Sequence, residues 1–314
     1  MLAIVCPGQG SQTPGFLAPW LEDPSSAERL RSLSKSAGID LVAHGTVSDQ
    51  ETIRDTAVAQ PLIVAASLLS ARALELETLS PEDVLLAGHS VGEVPAAALA
   101  GVLSDDQALR LIRVRAEAMA EAAAAEPTSM AAVVGGAEDE VRAAIEQADL
   151  APANINGAGQ IVAAGAAESI KALEENAPAR ARVIPLSVAG AFHTQYMASA
   201  QQRLAAAAGA LSPADPRLPL LSNRDGEAVA DGGSALGRIV EQVTRPVRWD
   251  LCMETMKARG VTGVLELLPG GTLTGLAKRG LKGVKSLAVK SPEDLEAARA
   301  FIAEHTAPSA EDPQ

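Results

Sequence analysis

The chain of 314 residues is poor in the residue types that build disulfide frameworks, metal centres and nucleic-acid surfaces. It has two cysteines, Cys6 and Cys252, which lie far apart and outside any CxxC or Cys/His spacing. We therefore expect two reduced core thiols and neither a disulfide framework nor a metal site. The 26 lysines and arginines are outnumbered by 39 acidic residues, which gives a formal net charge of −13. That charge disfavours nucleic acid or an anionic membrane surface as the main partner.

Long uninterrupted apolar runs are missing too. The chain is 47% hydrophobic, which is typical of a globular protein, but glycine, proline or charge breaks its longest apolar stretches. This pattern predicts no transmembrane helix. Residues 1–6 lack a basic segment or a cleavage site, so we interpret them as a first strand and not as a signal peptide. We expect a cytoplasmic protein.

A phosphate-binding loop is absent as well. The glycine-rich residues 7–15 resemble a nucleotide loop, but Thr13 stands where a GxGxxG motif has its third glycine, and no Gly-Lys-Ser/Thr follows. We expect this segment to form a rigid turn beside the active centre.

The most informative stretch is a Gly-x-Ser-x-Gly motif around Ser90, placed between a short apolar run and an alanine-rich segment. The run predicts a buried strand and the segment a helix. So tight a strand-to-helix turn strains the backbone at Ser90, and glycines at 88 and 92 allow the close packing on either side. Its hydroxyl would sit at a helix N-terminus, where amide groups stabilise an oxyanion. The motif alone favours a nucleophile and an ordinary N-cap about equally.

A helix predicted after Ser104 carries Arg115 on its apolar face, while Arg113 and Glu117 share the polar face. A guanidinium among apolar side chains needs an anion, because an unpaired buried charge is costly. Two partners fit: an internal carboxylate such as Glu93, or a substrate carboxylate held by the planar fork. Periodicity alone slightly favours the internal partner.

One of only four histidines suits the role of a general base. His193 follows a small-residue loop, His89 would point away from Ser90 along the strand, and His44 and His305 lie in stretches with no other sign of chemistry. His193 is therefore our candidate partner for Ser90. The competing interpretation is a histidine in a surface loop.

Residues 126–188 have an element pattern of their own. Their hydrophobic periodicity predicts the order βαββαβ, which is the ferredoxin-like split motif. We therefore expect an α/β protein with two domains. Residues 1–125 and 189–314 form a large α/β-hydrolase-like catalytic domain with a parallel sheet, and residues 126–188 form an inserted ferredoxin-like small domain.

Taken together, several short stretches resemble the malonyl-CoA:acyl carrier protein transacylase family of bacterial fatty-acid and polyketide synthesis. They cover nearly the whole chain in family order, and the ordered set is far more specific than any single stretch. The matching stretches are Pro7-Gly8-Gln9-Gly10-Ser11-Gln12, Ala59-Gln60-Pro61, Gly88-His89-Ser90-Val91-Gly92-Glu93, Arg115, Ala153-Asn154-Ile155-Asn156, Gly190-Ala191-Phe192-His193, Pro246-Val247-Arg248-Trp249 and Pro269-Gly270-Gly271-Thr272-Leu273-Thr274-Gly275.

The resemblance implies ping-pong chemistry without a cofactor. Ser90 would carry the malonyl group as an ester, and His193 would act as base and then as acid. The backbone amides of Gln9 and Val91 would form the oxyanion hole. Arg115 would hold the malonyl carboxylate, which supplies an anion for the apolar helix face.

Further family positions are matched with less defined roles. The resemblance implies that a main-chain carbonyl near Arg248, and not an aspartate, orients His193. It also places Gln60, Asn154 and Asn156 near the substrate cleft.

Substrate and partner are implied in the same way. Phe192 resembles malonyl-selective members, because a bulky ring leaves little space for a branch methyl, and Val91 points the same way. The malonyl group would pass to the phosphopantetheine thiol of an acidic acyl carrier protein. Residues 245–290 carry nine basic and three acidic side chains, which suits docking of that carrier, although a solvated face is the simpler explanation.

Two other functions compete with this one. An α/β-hydrolase-type esterase or thioesterase would use the same turn with water as acceptor, but it would need no carboxylate clamp at Arg115. A non-catalytic subunit that docks the carrier protein would use Ser90 only as a cap.

Overall fold

The computed structural model describes residues 1–306. Residues 307–314, which the sequence predicts to be frayed, lie outside the described range. The strands are β1 (Leu2–Cys6), β2 (Val84–Gly88), β3 (Thr128–Gly135), β4 (Ala151–Gly157), β5 (Gln160–Ala166), β6 (Ala181–Pro185), β7 (Val247–Arg248), β8 (Gly263–Glu266) and β9 (Lys285–Ala288). The α-helices are α1 (Pro24–Ala37), α2 (Leu41–Thr46), α3 (Thr56–Ala73), α4 (Glu93–Leu99), α5 (Asp105–Ala125), α6 (Glu138–Gln147), α7 (Ala167–Glu175), α8 (Ala198–Ala208), α9 (Gly232–Glu241), α10 (Trp249–Ala258), α11 (Thr272–Gly280) and α12 (Leu295–Thr306).

A parallel sheet with the order β2-β1-β8-β9 forms the centre of the molecule. Every residue of β1 and β2 is buried, because helices cover both faces of the sheet, and this explains their unbroken apolar sequences. Strand β1 pairs with β2 in register from Leu2–Val84 to Cys6–Gly88. The carboxyl ends of these two strands therefore lie side by side, and the Gly-x-Ser-x-Gly turn leaves the sheet there.

Helix α3 is the central core helix. It begins at Thr56, capped by the Asp55 side chain, and Pro61 lies inside the helix. By length and hydropathy α3 could cross a membrane, whereas the interrupted apolar runs of the sequence predict no transmembrane helix. In the structure 78% of α3 is buried within the protein. The apolar composition of α3 is explained by packing against α5 and the sheet.

Helix α5 has the two faces that the sequence predicts. Ser104 and Gln107 form a capping box at its start. Its apolar face, including Ile112, Arg115 and Met119, is buried, and it packs against α3 and α8. Arg115 thus enters the protein interior from a regular helix.

A second sheet has the order β6-β3-β5-β4-β7. All six elements that the sequence predicts in residues 126–188 are present, and strands β3 to β6 pair antiparallel. The fifth strand, β7, comes from beyond residue 188 and pairs parallel with β4. The architecture is mixed α/β, with one parallel sheet and one mixed sheet.

Candidate active site

The turn after β2 has the tight geometry that the Gly-x-Ser-x-Gly spacing predicts. Ser90 has φ = 54°, a left-handed conformation that costs a non-glycine residue about 1–3 kcal/mol. A Cβ at Gly88 would lie 2.0 Å from the carbonyl carbon of Gly92, and one at Gly92 would lie 2.2 Å from the carbonyl oxygen of Cys6. The backbone passes itself so closely here that only glycine fits at both positions.

Ser90 and His193 meet although 103 positions separate them in the chain. The Ser90 Oγ lies 2.7 Å from His193 Nε2. His89 is the N-cap of a short 3-10 turn at Ser90–Gly92, Gly92 is the N-cap of helix α4, and the Ser90 hydroxyl bonds to His193 instead of capping either element. The alternative interpretation of Ser90 as an N-cap is therefore wrong.

His193 is 4% exposed, so it is not a surface histidine. Its Nδ1 lies 2.8 Å from the carbonyl oxygen of Gln242, which leaves Nε2 as the unprotonated acceptor that faces Ser90. Burial, together with the charge of Arg115, lowers the pKa of His193 to about 3. His193 itself has φ = 63°, so both residues of the pair are held in strained backbone.

The carbonyl that orients His193 belongs to Gln242, and the expectation that it lies near Arg248 is wrong. The backbone of Arg248 is used elsewhere: its amide donates to the Asn223 carbonyl at 2.8 Å, and the residue pairs with Ile155 in the second sheet. Its guanidinium binds Asp250. A short 3-10 turn at Gln242–Thr244 brings the Gln242 carbonyl to His193 instead.

Arg115 is buried, with 1% of its surface exposed, and it has no carboxylate partner within ion-pair distance among residues 1–306. Its two terminal nitrogens donate to the Oε1 atoms of Gln60, at 2.6 Å, and Gln242, at 2.8 Å. Its Nε has no partner in the described chain. Burial lowers the pKa of Arg115 to about 10, so the side chain stays charged at neutral pH, and the nearby charge of Glu93 opposes this shift. Gln242 lies between the two side chains, since it donates to Glu93 and accepts from Arg115. The cation therefore keeps capacity for an external anion.

Gln242 contacts Ser90, Arg115 and His193. It is not among the site residues predicted from the sequence. Its Nε2 donates to the Ser90 carbonyl at 2.9 Å and to the carboxylate of Glu93, and its Oε1 accepts from Arg115. Asn223 binds the turn from the other side, since its Oδ1 accepts from the Ser90 amide at 2.8 Å and its Nδ2 donates to the Gly88 carbonyl at 2.7 Å. A glutamine inside a helical pattern carries no local signal for such a position.

The loop that contains Gln9 lies against the turn. Gly8 and Pro7 are close to His89 and Gly92, respectively. Within the described residues, neither the amide of Gln9 nor that of Val91 donates a hydrogen bond to another protein group. The Gln9 side chain turns away and donates to the Arg54 carbonyl at 3.3 Å. Both predicted oxyanion donors are therefore available.

The remaining candidate residues surround this centre. The Oδ1 of Asn156 accepts a hydrogen bond from His89 Nε2 at 2.9 Å, and His89 lies edge-on to Trp249 with ring centroids 5.6 Å apart. The Oδ1 of Asn154 is buried without a partner in the described chain. Phe192 is 7% exposed and directly precedes His193.

Cavity size alone does not identify the site. A cavity of about 680 Å³ is lined by residues such as Ile4, Leu68 and Leu86, and neither Ser90 nor His193 lines it. Cys6 and Cys252 are buried free thiols, as the sequence predicts, and burial raises the pKa of both. Across residues 1–306, no three histidine, cysteine or acidic side chains are grouped to hold a metal ion.

Comparison with known proteins shows the family of the chain. Residues 3–303 match the family model of the acyl transferase domain. The malonyl CoA-acyl carrier protein transacylase of Mycobacterium tuberculosis is 52% identical over 94% of this chain and 98% of its own length. That of Escherichia coli K12 is 32% identical over 94% of this chain and 98% of its own length.

Solved structures show the same likeness. A crystal structure described as MCAT from Mycobacterium tuberculosis superposes with a TM-score of 0.91 at 51% identity, covering 95% of this chain and 99% of the other. A malonyl-transacylase in complex with its type II PKS acyl-carrier protein superposes with a TM-score of 0.89 at 31% identity, covering 95% and 99%. The chain belongs to the malonyl CoA-acyl carrier protein transacylase family.

Proposed function

We propose that this protein transfers the malonyl group from malonyl-CoA to the phosphopantetheine thiol of an acyl carrier protein, through a malonyl ester on Ser90. The observation that carries the proposal is the combination of the Ser90–His193 contact at 2.7 Å with a buried cation, Arg115, that has no ion-paired carboxylate in the described chain. The first feature suits acyl transfer, and the second suits an acyl group that ends in a carboxylate.

In the first half-reaction, Ser90 Oγ attacks the thioester carbonyl carbon while His193 Nε2 takes the hydroxyl proton. The carbonyl oxygen becomes an oxyanion that the amides of Gln9 and Val91 stabilise. Collapse of this intermediate breaks the carbon–sulfur bond, and His193 returns the proton to the departing CoA sulfur. The Gln242 carbonyl stabilises the imidazolium that exists between these two transfers.

In the second half-reaction the same groups work in reverse order. His193 takes the proton of the phosphopantetheine thiol, and the sulfur attacks the ester carbonyl carbon. Ser90 Oγ leaves and recovers the proton from His193. No metal ion, cofactor or redox step is needed for the balance.

We assign the residues around this centre to substrate positioning. Gln60 holds Arg115, so that the guanidinium faces the malonyl carboxylate. Asn154 and Asn156 lie on β4 beside the cleft, where the unpartnered Asn154 Oδ1 is available to a polar group of the substrate. Phe192, packed before His193, restricts the space at the α-carbon of the acyl group and favours malonyl over methylmalonyl.

The two sheets support a division into two domains. We infer that residues 1–125 and 189–314 form an α/β-hydrolase-like catalytic domain and that residues 126–188 form a ferredoxin-like small domain, with strand order β6-β3-β5-β4. The pairing of β7 with β4 adds one strand of the large domain to the small one. Substrate would enter along the boundary between these two domains. We also propose that the protein is cytoplasmic.

Mass spectrometry tests the proposed reaction. Intact protein mixed with malonyl-CoA is expected to gain one malonyl group, and the Ser90→Ala variant none. The adduct should persist without a carrier and disappear when the carrier is added, because the thiol is the acceptor. Rapid release of free malonate without a carrier would favour a thioesterase instead, and no adduct at all would favour a docking subunit.

We propose that the acyl carrier protein docks on the basic region 245–290. Six of its nine basic side chains are exposed and make no ion pair within residues 1–306. They are Lys257, Arg259, Lys278, Arg279, Lys282 and Lys290. Helix α11, which carries Lys278 and Arg279, begins at Thr272, whose hydroxyl lies 2.8 Å from that of Ser11 in the glycine-rich loop. The patch therefore continues from the active-site side of the molecule.

Charge reversal tests this surface. Lys278→Glu, Arg279→Glu and Lys282→Glu together should raise KM for the carrier and weaken its salt dependence, while acylation by malonyl-CoA stays unchanged. The control is Lys35→Glu, an exposed cation on α1. An unchanged KM for the carrier in the triple variant would place the docking site elsewhere.

A further inference from the structure

Glu93 is a buried carboxylate that the reaction described above does not use. It is the first residue of α4, directly after the turn, and is 4% exposed. One carboxylate oxygen accepts the Asn223 amide at 2.6 Å, and the other accepts from Gln242 Nε2. Asn223 binds the Ser90 amide, and Gln242 binds both Arg115 and His193. Glu93 therefore holds the two residues that position the active site.

The Gln242 amide bridges two groups of opposite hydrogen-bonding character. Arg115 can only donate hydrogen bonds and an ionised Glu93 can only accept them, whereas a glutamine amide has one accepting and one donating end. With Glu93 ionised, the NH2 group of Gln242 must face the carboxylate, and its oxygen must face the guanidinium. A neutral partner at position 93 no longer contributes to this orientation, because it can also donate to the amide oxygen, and the amide is then held less firmly, by the Ser90 carbonyl at 2.9 Å from Gln242 Nε2.

We propose that Glu93 is a positioning residue for substrate selection, whose ionised carboxylate orients the Gln242 amide and thereby holds Arg115 ready for the malonyl carboxylate. The inference rests on the proposed function of Arg115 and adds a residue to it. Glu93 would act through Asn223 and Gln242, which its carboxylate contacts.

The surroundings of Glu93 place its titration in an accessible range. Burial raises the pKa of Glu93 to about 7. The hydrogen bonds from Asn223 and Gln242 and the nearby charges of Arg115 on α5 and Arg238 on α9 oppose this rise, because they favour the ionised carboxylate. Cys252 on α10 also faces it, and burial keeps that thiol neutral. The carboxylate is thus ionised above about pH 7 and protonated below it.

The isosteric variant Glu93→Gln tests the role. Its side-chain oxygen still accepts from the Asn223 amide, but its NH2 group now faces that of Gln242. The preference for malonyl-CoA over acetyl-CoA, measured as the ratio of the two kcat/KM values for Ser90 acylation, should fall by about 10- to 100-fold, mainly through KM for malonyl-CoA. The control is Glu146→Gln, which removes an exposed carboxylate from α6.

A measurement on the unmodified protein gives a second test that does not depend on how the variant folds. The malonyl preference should fall as the pH is lowered from 8 to 6, because Glu93 becomes protonated, and taking the ratio cancels any titration of His193. In Glu93→Gln the ratio should not change with pH. A constant ratio in the unmodified protein, or equal losses with both substrates in the variant, would overturn the role of Glu93 while the malonyl adduct itself still forms. Absence of that adduct in the unmodified protein would instead refute the proposed function.

Discussion

The substitution Arg115→Met tests the carboxylate clamp most directly. Methionine keeps much of the side-chain length inside the core but removes the charge and all donors. Within residues 1–306 Arg115 makes two hydrogen bonds, both to amide oxygens, so its remaining capacity is available to the malonyl carboxylate. Each charge-assisted hydrogen bond contributes about 1.5–3 kcal/mol. Loss of a bidentate pair therefore predicts a decrease of about 10²- to 10⁴-fold in kcat/KM with malonyl-CoA.

Acetyl-CoA serves as the internal reference, because its acyl group ends in a methyl. The substitution leaves two buried amide oxygens without donors, which costs about 1–3 kcal/mol each in stability, and this cost is common to both substrates. We expect acetyl transfer to change less than about threefold, a difference of under 1 kcal/mol. The assay is single-turnover acylation of Ser90 followed by intact-mass measurement.

Arg113 provides the matched control. It lies two residues earlier on α5 but is exposed and paired with Glu117. Arg113→Met should leave both acylation rates unchanged. If Arg115→Met lowers malonyl and acetyl transfer equally, or if Arg113→Met has the same effect, the clamp is refuted.

Four further outcomes are expected. Phe192→Ser should increase acylation by methylmalonyl-CoA relative to malonyl-CoA by about 10-fold or more, since one methyl group is worth about 1–3 kcal/mol in a fitted pocket, and an unchanged ratio would place selectivity elsewhere. Because His193 has a pKa of about 3, it stays neutral and able to accept a proton above that pH. The rate of acetyl-CoA acylation should therefore be constant between about pH 5 and 8. A fall in this rate centred near pH 6.5 would contradict the prediction. The stability that the neutral buried His193 contributes is complete above its unfolded pKa and is lost as the pH falls through about 3. Gly92→Ala should lower the melting temperature and abolish acylation, because its Cβ would lie 2.2 Å from a carbonyl oxygen. The control Gly237→Ala, whose Cβ meets no atom within 4 Å, should leave activity intact. Normal activity in Gly92→Ala would refute the packing argument.

Much of the site could be predicted because its chemistry leaves local signals. The glycines around Ser90 are required by backbone contacts of about 2 Å, so the spacing itself reports the turn. Arg115 violates the apolar pattern of its helix, which predicts an unusual environment without identifying the anion. His193 is found mainly by excluding the other histidines, and only its burial distinguishes it from a surface residue.

The rest depends on contacts that the sequence does not encode locally. Gln242 and Asn223 hold the turn across 152 and 133 positions of the chain, and neither residue type in its local context marks such a role. The Arg248 error has the same origin, because a motif match indicates a segment but not which carbonyl in it reaches His193. Strand β9 and helix α12 are not predicted either. The short β9 has no fully buried residue, and its position is fixed by pairing with β8.

The two-residue strand β7 gives the molecule a mechanical linkage between its sheets. Val247 and Arg248 pair with the second sheet, and the Arg248 amide is bound to the Asn223 carbonyl. The Asn223 side chain in turn binds the Ser90 amide and the Gly88 carbonyl. A displacement of the inserted segment would therefore be transmitted through one asparagine to the serine. A ligand that separates the two sheets is therefore expected to shift Asn223 and to slow acylation of Ser90 without occupying the acyl pocket.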